Sequence, residues 1–458
     1  MTAYKFEAVV AGSGIAGSIV SSLISRKGFR VALVDSKKSS LIGLKVCGDG
    51  VGLHDFHEAG INPPTTEIER TVQGVRFYAG TDEPTFTIHG KGFTLNRHAF
   101  GQHLLKEAQD NGVELFSEYM VTKAMLEDDK VIGVVSKHSG DTKIFKAPIT
   151  VDATGIVGAV RTTLPTSWTV SETVNRFDIG LGYREYRRLT ENFEDYCSLH
   201  YNWDVAPGGY CWIIPKQDNV VNTGLLVPWR HETTSTQLQS NFNKFVQENP
   251  ALKGSEFVRS EIGLVPLRQP LPNAVADGFL AIGDAAYHAN PLNGDGIGSA
   301  MGAAKIAGDI ASACLEKDDT STEALWKFNV EYMKRQGCRY TTNKVLSDFI
   351  RSLKSQQMIE FFKALGIRRE YHSGDLFGEL SSRNKAGIFF KISYRTRLLF
   401  SLLGLMRRMD AVSSQCRRFP EDPLLFPSWL TELKRDLATG HHSASPLAAS
   451  TSPQVEDT

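Results

Sequence analysis

Neither sign of charge prevails in this chain of 458 residues, where 51 Lys and Arg stand against 51 Asp and Glu. With no global field, any attraction to an anionic surface has to be local, and nucleic acid is not an expected partner. Cysteine is scarce and scattered. Cys47, Cys197, Cys211, Cys314, Cys338 and Cys416 form neither a secreted disulfide framework nor the C-x-x-C pairs of zinc sites, so no metal is expected and the compartment is read as cytosolic. The opening residues lack the charged flank, apolar core and small-residue cleavage site of a secretion leader, so none is expected. Long apolar runs are missing too. The longest in the C-terminal third, residues 398–406, is about half of the ~20 residues that span a bilayer. No internal repeat is visible, and the length allows two or three domains.

What is present begins with an apolar strand at 6–11, the run GSGIAG, a helix over 15–26 and a second strand at 30–34. Gly12, Gly14 and Gly17 form G-x-G-x-x-G in the strand-turn-helix setting that lets backbone N–H groups approach a pyrophosphate at the helix start. Asp35 ends the next strand, where a carboxylate can accept hydrogen bonds from ribose hydroxyls. A β-turn-β pattern follows at 121–135 and a strand at 149–153. Residues 168–228 are rich in strands and aromatics, residues 306–437 are mostly helical, and a Ser/Pro/Ala/Thr-rich tail from Gly440 is expected to be disordered. Two histidine pairs, His54 with His57 and His441 with His442, read as helix surface and solvated tail rather than ligand sets.

The first motif does not separate FAD from NAD. A second element, GFLAIGDAA at 278–286, delivers Asp284 from a short strand to a helical start and resembles the flavoprotein G-D motif, where a carboxylate holds the ribityl chain. Gly294, Gly296 and Ile297 then form a small-residue loop leading into a helix, and two separated dinucleotide elements imply a discontinuous FAD domain. Arg97, with Phe100 and Leu104, resembles the arginine that faces the cofactor in the same flavoproteins. VDATGIVGAVR at 151–161 looks like the aromatic-hydroxylase segment, with Thr154 in place of its aspartate and Gly158 in place of its serine, which argues against direct NADPH use in that manner.

KVCGDG at 45–50 brings Cys47, followed by Gly48, to the region where such folds hold the isoalloxazine. Tyr210, Trp212 and Pro215 in YCWIIP form an aromatic strand suited to line a cavity. Together these motifs resemble the geranylgeranyl reductase family, particularly its archaeal members that saturate digeranylgeranylglycerophospholipids. The resemblance covers residues 6–308, with a weaker helical continuation. Ile214 stands where the family strand has phenylalanine, and Asp49 departs from the usual C-G-G-G or C-G-E-G. By the same match Ala16, Asp35, Val46, Cys47, Arg97, Val121, Asp284, Gly296 and Ile297 would contact FAD.

The resemblance implies an α/β (α+β overall) architecture: a glutathione-reductase-like Rossmann domain binding FAD, an aromatic-hydroxylase-like antiparallel-sheet substrate domain and a C-terminal helical region. Expected boundaries are 1–70, 94–162 and 270–312 for the FAD domain, 71–93 and 163–269 for the substrate domain, 313–437 for the helices and 438–458 for the tail. The expected activity is saturation of C=C bonds in a prenylated glycerophospholipid, with Cys47 as proton donor or relay and Tyr210, Trp212 and Pro215 at the substrate. NADPH or reduced ferredoxin would supply electrons. Residues 391–408, basic at both ends of a short apolar core, suggest peripheral attachment to the inner face of the cell membrane. Cys314 and Cys338 fall on successive helical stretches that could meet across a hairpin, where a disulfide is open to a thermophile protein and not expected in a mesophilic cytosol. Two alternatives remain: a flavin monooxygenase or halogenase, since YCWIIP also resembles the halogenase aromatic strand, and a non-catalytic electron-carrying or lipid-binding protein, which leaves Cys47 without a role.

Overall fold

The computed structural model describes residues 2–230, 233–365, 370–372 and 396–438. Its nucleotide unit is a six-stranded sheet in the order Val275–Ala276, Phe279–Ala281, Ile149–Asp152, Ala8–Ala11, Val31–Asp35, Glu114–Ser117, parallel except at the first pair. Its central strands are buried on both faces, which is why they read as unbroken Val, Ala and Leu instead of alternating. The helix Ile15–Ser25 crosses this sheet with Leu23 lying over Gly308 of the long helix Ile297–Glu316. The expected strand at 6–11 is found shortened to Ala8–Ala11, and an unexpected strand precedes it. Thr2–Lys5 pairs with Asp141–Lys146 in a separate four-stranded sheet, and the chain crosses over where Phe6 N–H bonds Lys146 O and Glu7 N–H bonds Arg30 O.

A nine-stranded sheet makes up the second unit. It runs Glu256–Pro266, Ile179–Arg188, Val220–Pro228, Tyr210–Pro215, Cys197–Tyr201, Ile68–Ala79, Phe86–Leu95, Glu370–His372, with Gly50–Gly52 joining beside Phe86–Leu95. Side chains alternate across a strand, so the sheet has two working faces. On one, Cys211, Ile213 and Leu225 pack with Phe242 and Phe245 of the helix Ser235–Glu248. On the other, Tyr210, Trp212, Ile214 and Leu226 join the core shared with the nucleotide unit. The α/β class with a flavoprotein-type nucleotide sheet and a helical C-terminal part stands as expected.

The helices Cys338–Ser352, Ser355–Leu365, Thr396–Arg417 and Phe426–Ala438 close the molecule. They correct one expectation. Cys314 and Cys338 do not meet; every cysteine is free, and the Cys338 thiol instead hydrogen-bonds with Cys416 and Ser413 because Thr396–Arg417 is the helix packed on its own. Of the basic-flanked segment 391–408, residues 391–395 lie outside the described residues, as do the tail from 439 and its two histidines. Leu402 and Leu405 of the remainder are buried, and Arg408 donates to Leu437 O, so this part is built into the helical packing. Among the described residues no helix is long and apolar enough to cross a membrane.

Candidate functional site

Two helix starts converge where the nucleotide motifs place them. Gly12 has a φ of 95°, and a Cβ there would lie 2.4 Å from Ala153 O, while one on Gly17 would lie 1.8 Å from Gly12 O; both positions need glycine for packing. Gly14, the N-cap, faces open space: a Cβ there meets nothing within 4 Å, and no side chain caps the helix. Asp35 accepts from Ser13 N–H at 2.7 Å and Ser13 Oγ–H at 2.6 Å, which aims its carboxylate along the loop. Tyr119 N–H bonds Asp35 O, bringing in Val121 at the head of the strand Met120–Glu127. Ala16 touches Gly283, Asp284 lies beside Gly296, and Gly296 caps Ile297–Glu316, again without a side-chain cap.

These residues fit FAD, and the strongest sign is an imbalance of charge. Arg97 is 8% exposed, and its Nε and Nη1 have no hydrogen-bond partner among the described residues. Lys37 nearby is held below its ordinary pKa, mainly by burial, and further by Arg97 and Lys45. A buried guanidinium with idle donors beside two lysines and two uncapped helix starts is a cradle for a pyrophosphate. Asp284, expected at the ribityl chain, carries Lys45 Nζ as its partner.

Lys45 also opens the cysteine loop, which the second unit grips. Val46 packs against Gly263, and Gly48 against Ile214, where a Cβ would come within 2.8 Å of Ile214 Cδ1. Asp49, fully buried with a φ of 65°, turns its carboxylate into a nest on the large sheet. Oδ2 receives Tyr186 OH at 2.9 Å, Asn222 Nδ2 at 2.9 Å and Lys216 Nζ at 3.1 Å, with Arg184 Nη1 at 3.3 Å. Arg184 and Asn222 also donate to Cys47 O, so the backbone on both sides of Gly48 is tied to the same sheet. The Cys47 thiol accepts Asp49 N–H at 3.3 Å, and burial, followed by the Asp49 charge, pushes its pKa up. The neutral thiol is thus the form this site holds.

Tyr210 reaches the cofactor loop, its hydroxyl donating to Asn293 O. Burial raises its pKa, with Tyr201, Asp295 and Cys47 adding to the shift, which puts it within electrostatic reach of the thiol. Trp212 Nε1–H donates to Asn222 Oδ1 at 3.0 Å, so this ring also braces the cysteine loop. Pro215 lies at the strand's other end, its carbonyl accepting from Thr94 Oγ. Beside Tyr210 a small cleft lies between the sheet and the helix Cys338–Ser352. Asp295, in the cofactor loop, is pushed up to about 7 by burial and by Asp55. The sequence reading missed Asp295 and every partner of Asp49. Asp49 had been noticed only as a departure from the family loop.

The comparisons with known proteins agree. Residues 178–265 match a family model described as the geranylgeranyl reductase catalytic domain. A digeranylgeranylglycerophospholipid reductase of Sulfolobus acidocaldarius is 30% identical over 456 residues, 97% of this chain and 100% of that protein. Digeranylgeranylglycerophospholipid reductase 1 of Methanopyrus kandleri is 26% identical over 79% of this chain and 95% of its own length. Among solved structures, a geranylgeranyl bacteriochlorophyll reductase-like protein from Thermoplasma acidophilum shares the fold with a TM-score of 0.77 at 20% identity, covering 88% of this chain and 100% of that one. The myxobacterial chondrochloren halogenase follows with a TM-score of 0.66 at 16% identity, covering 88% and 97%.

Proposed function

The chain belongs to the geranylgeranyl reductase family, and from that we propose that it is an FAD-dependent reductase saturating the C=C bonds of geranylgeranyl chains in digeranylgeranylglycerophospholipid. The likeness to halogenases, at 16% identity, bears on the fold alone.

An isolated prenyl double bond has no carbonyl to take up charge, so hydride arriving at one carbon must be matched by a proton at its neighbour. Bound FAD, once reduced, supplies the hydride. The rest falls to the chain. The observation that carries the reading is the neutral, half-buried Cys47 thiol, held between the nucleotide cradle and the aromatic face of the sheet. In this role Cys47 gives or relays the proton. Tyr210 and Trp212 hold the prenyl chain against the thiol and keep water from competing for the site. Gly12, Gly14, Ala16, Gly17, Asp35, Val46, Gly48, Arg97, Val121, Asp284, Gly294, Gly296 and Ile297 hold the cofactor in this proposal.

NADPH at a transient surface site, or a reduced ferredoxin, supplies the electrons, in keeping with a sequence that has one nucleotide loop. A lipid substrate calls for peripheral attachment to the inner face of the membrane, and the exposed Phe257, Val258 and Ile262 on the outer strand of the large sheet support such a contact. The reading is tested by anaerobic incubation of the purified protein with a geranylgeranylated glycerophospholipid and dithionite. A stepwise gain of hydrogen pairs in the lipid mass is expected; an unchanged mass, with flavin bound and lipid accessible, overturns it.

A further inference from the structure

The cleft beside Tyr210 is apolar along most of its wall, with Tyr201, Leu226, Leu267, Leu292 and Ile350 contributing. One cation breaks this pattern. Arg351, in the last turn of Cys338–Ser352, lines the cleft and among the described residues has one acceptor, Pro291 O, at 3.2 Å from Nη2. A guanidinium carries five N–H donors, so most of its capacity is unused. Its acidic neighbours are committed elsewhere: Lys344 Nζ lies 3.2 Å from Asp178 and 2.6 Å from Asp348, and no carboxylate comes within 4.0 Å of Arg351 among the described residues. Burial lowers the Arg351 pKa against the opposing influence of Asp348 and Asp178.

The side chain is also well placed. Ser347, one turn earlier, donates to the same Pro291 carbonyl at 2.8 Å, so the end of this helix is fastened to the loop that carries Gly294 and Gly296. Tyr210, on the same cleft, bonds the next turn of that loop at Asn293 O. Arg351 and Tyr210 thus share one cleft, and Tyr210 lies within electrostatic reach of Cys47. An apolar wall with one guanidinium whose donors are open to a further acceptor matches a hydrocarbon with an oxyanion at its head.

Resting on the reductase reading above, we propose that Arg351 seats the phosphate of the lipid substrate and thereby fixes how far the prenyl chain reaches toward Cys47. The cleft then selects a phosphorylated prenyl lipid over the bare hydrocarbon or its alcohol.

The test compares a digeranylgeranylglyceryl phosphate with geranylgeraniol under dithionite, with flavin content measured for each variant. Arg351→Gln is expected to raise KM for the phospholipid about 10- to 100-fold, the worth of charge-assisted hydrogen bonds, and to leave both constants for geranylgeraniol unchanged. Arg351→Lys, which keeps the charge without the fork, falls between. Equal losses on both substrates, or on neither, overturn the proposal. Wild-type protein gives a second arm that does not depend on a variant folding. Millimolar glycerol phosphate is expected to compete with the phospholipid and not with geranylgeraniol; no competition overturns the assignment. Inorganic phosphate competing equally well makes the cleft a free-anion site and overturns the head-group role. A wild type that reduces neither substrate is a failure of the reductase reading, and is distinguishable from all of these.

Discussion

Cys47 sits where two influences on its proton add. Burial disfavours the thiolate, and the Asp49 carboxylate disfavours it further, while Arg97 and Lys45 oppose them without prevailing. An acid whose pKa is raised keeps its proton to higher pH, so activity that depends on the thiol holds through the ordinary thiol range, near ~8.5, and falls only above it. The alkaline limb of the pH–rate profile for lipid reduction is therefore expected above that value, and a limb at or below it would take the proton role away from Cys47. Replacing Asp49 by Asn removes a raising influence, so the limb should move down. The same change leaves Arg184 and Lys216 short of a buried anion, and a loss of about 2 kcal/mol in denaturant unfolding is expected. Cys47→Ala removes the proposed proton donor altogether. It should retain FAD, read from the flavin absorbance, and lose lipid reduction by a factor of ~100 or more.

Strands and loops set the geometry that these residues exploit. Gly263, on the outer strand Glu256–Pro266, belongs to no motif, yet a Cβ there would lie 2.5 Å from Val46 Cβ. Val46 is β-branched and stiff, so Gly263→Ala is expected to push the cysteine loop off the sheet, at an overpacking cost of about 1–3 kcal/mol, and to lower the rate of reduction more than FAD affinity. Equal rates with wild type would mean that the loop does not need its seat. This strand also marks the limit of what was legible in the sequence. Gly12, Gly17 and the strands around them were readable because strand, turn and helix lie within thirty-odd residues and each leaves a local pattern. Asp49 looked like an anomaly because its partners, Arg184, Tyr186, Lys216 and Asn222, arrive from strands more than a hundred residues away. Alternation can say which of those side chains share a face, but not which loop that face will meet. Cys338 failed for the same reason: nearness in sequence suggested Cys314, whereas helix packing supplied Cys416.

Across the whole molecule, two units with different tasks share one core, and in the proposed reaction the lipid reaches the seam between them. The outer strand leaves Phe257 53%, Val258 46% and Ile262 47% exposed, an apolar edge at the side of the large sheet. Edge strands with such a surface tend to find a partner, and with the proposed lipid substrate the expected one is a bilayer. Replacing Phe257 and Val258 by Ser is expected to weaken co-flotation with liposomes of anionic lipid several-fold while leaving the reduction of detergent-dispersed lipid intact; undiminished flotation would move the contact to another face. The Asp49 nest has a further, mechanical meaning. The thiol is carried on a loop that springs from the nucleotide unit, but its foot is planted in the opposite one. If the two units breathe against each other, Cys47 keeps step with the large sheet, not with the nucleotide sheet. In the proposed reaction the proton source is thereby indexed to the workpiece: the surface that carries Tyr210 and the thiol that serves it move as one tool.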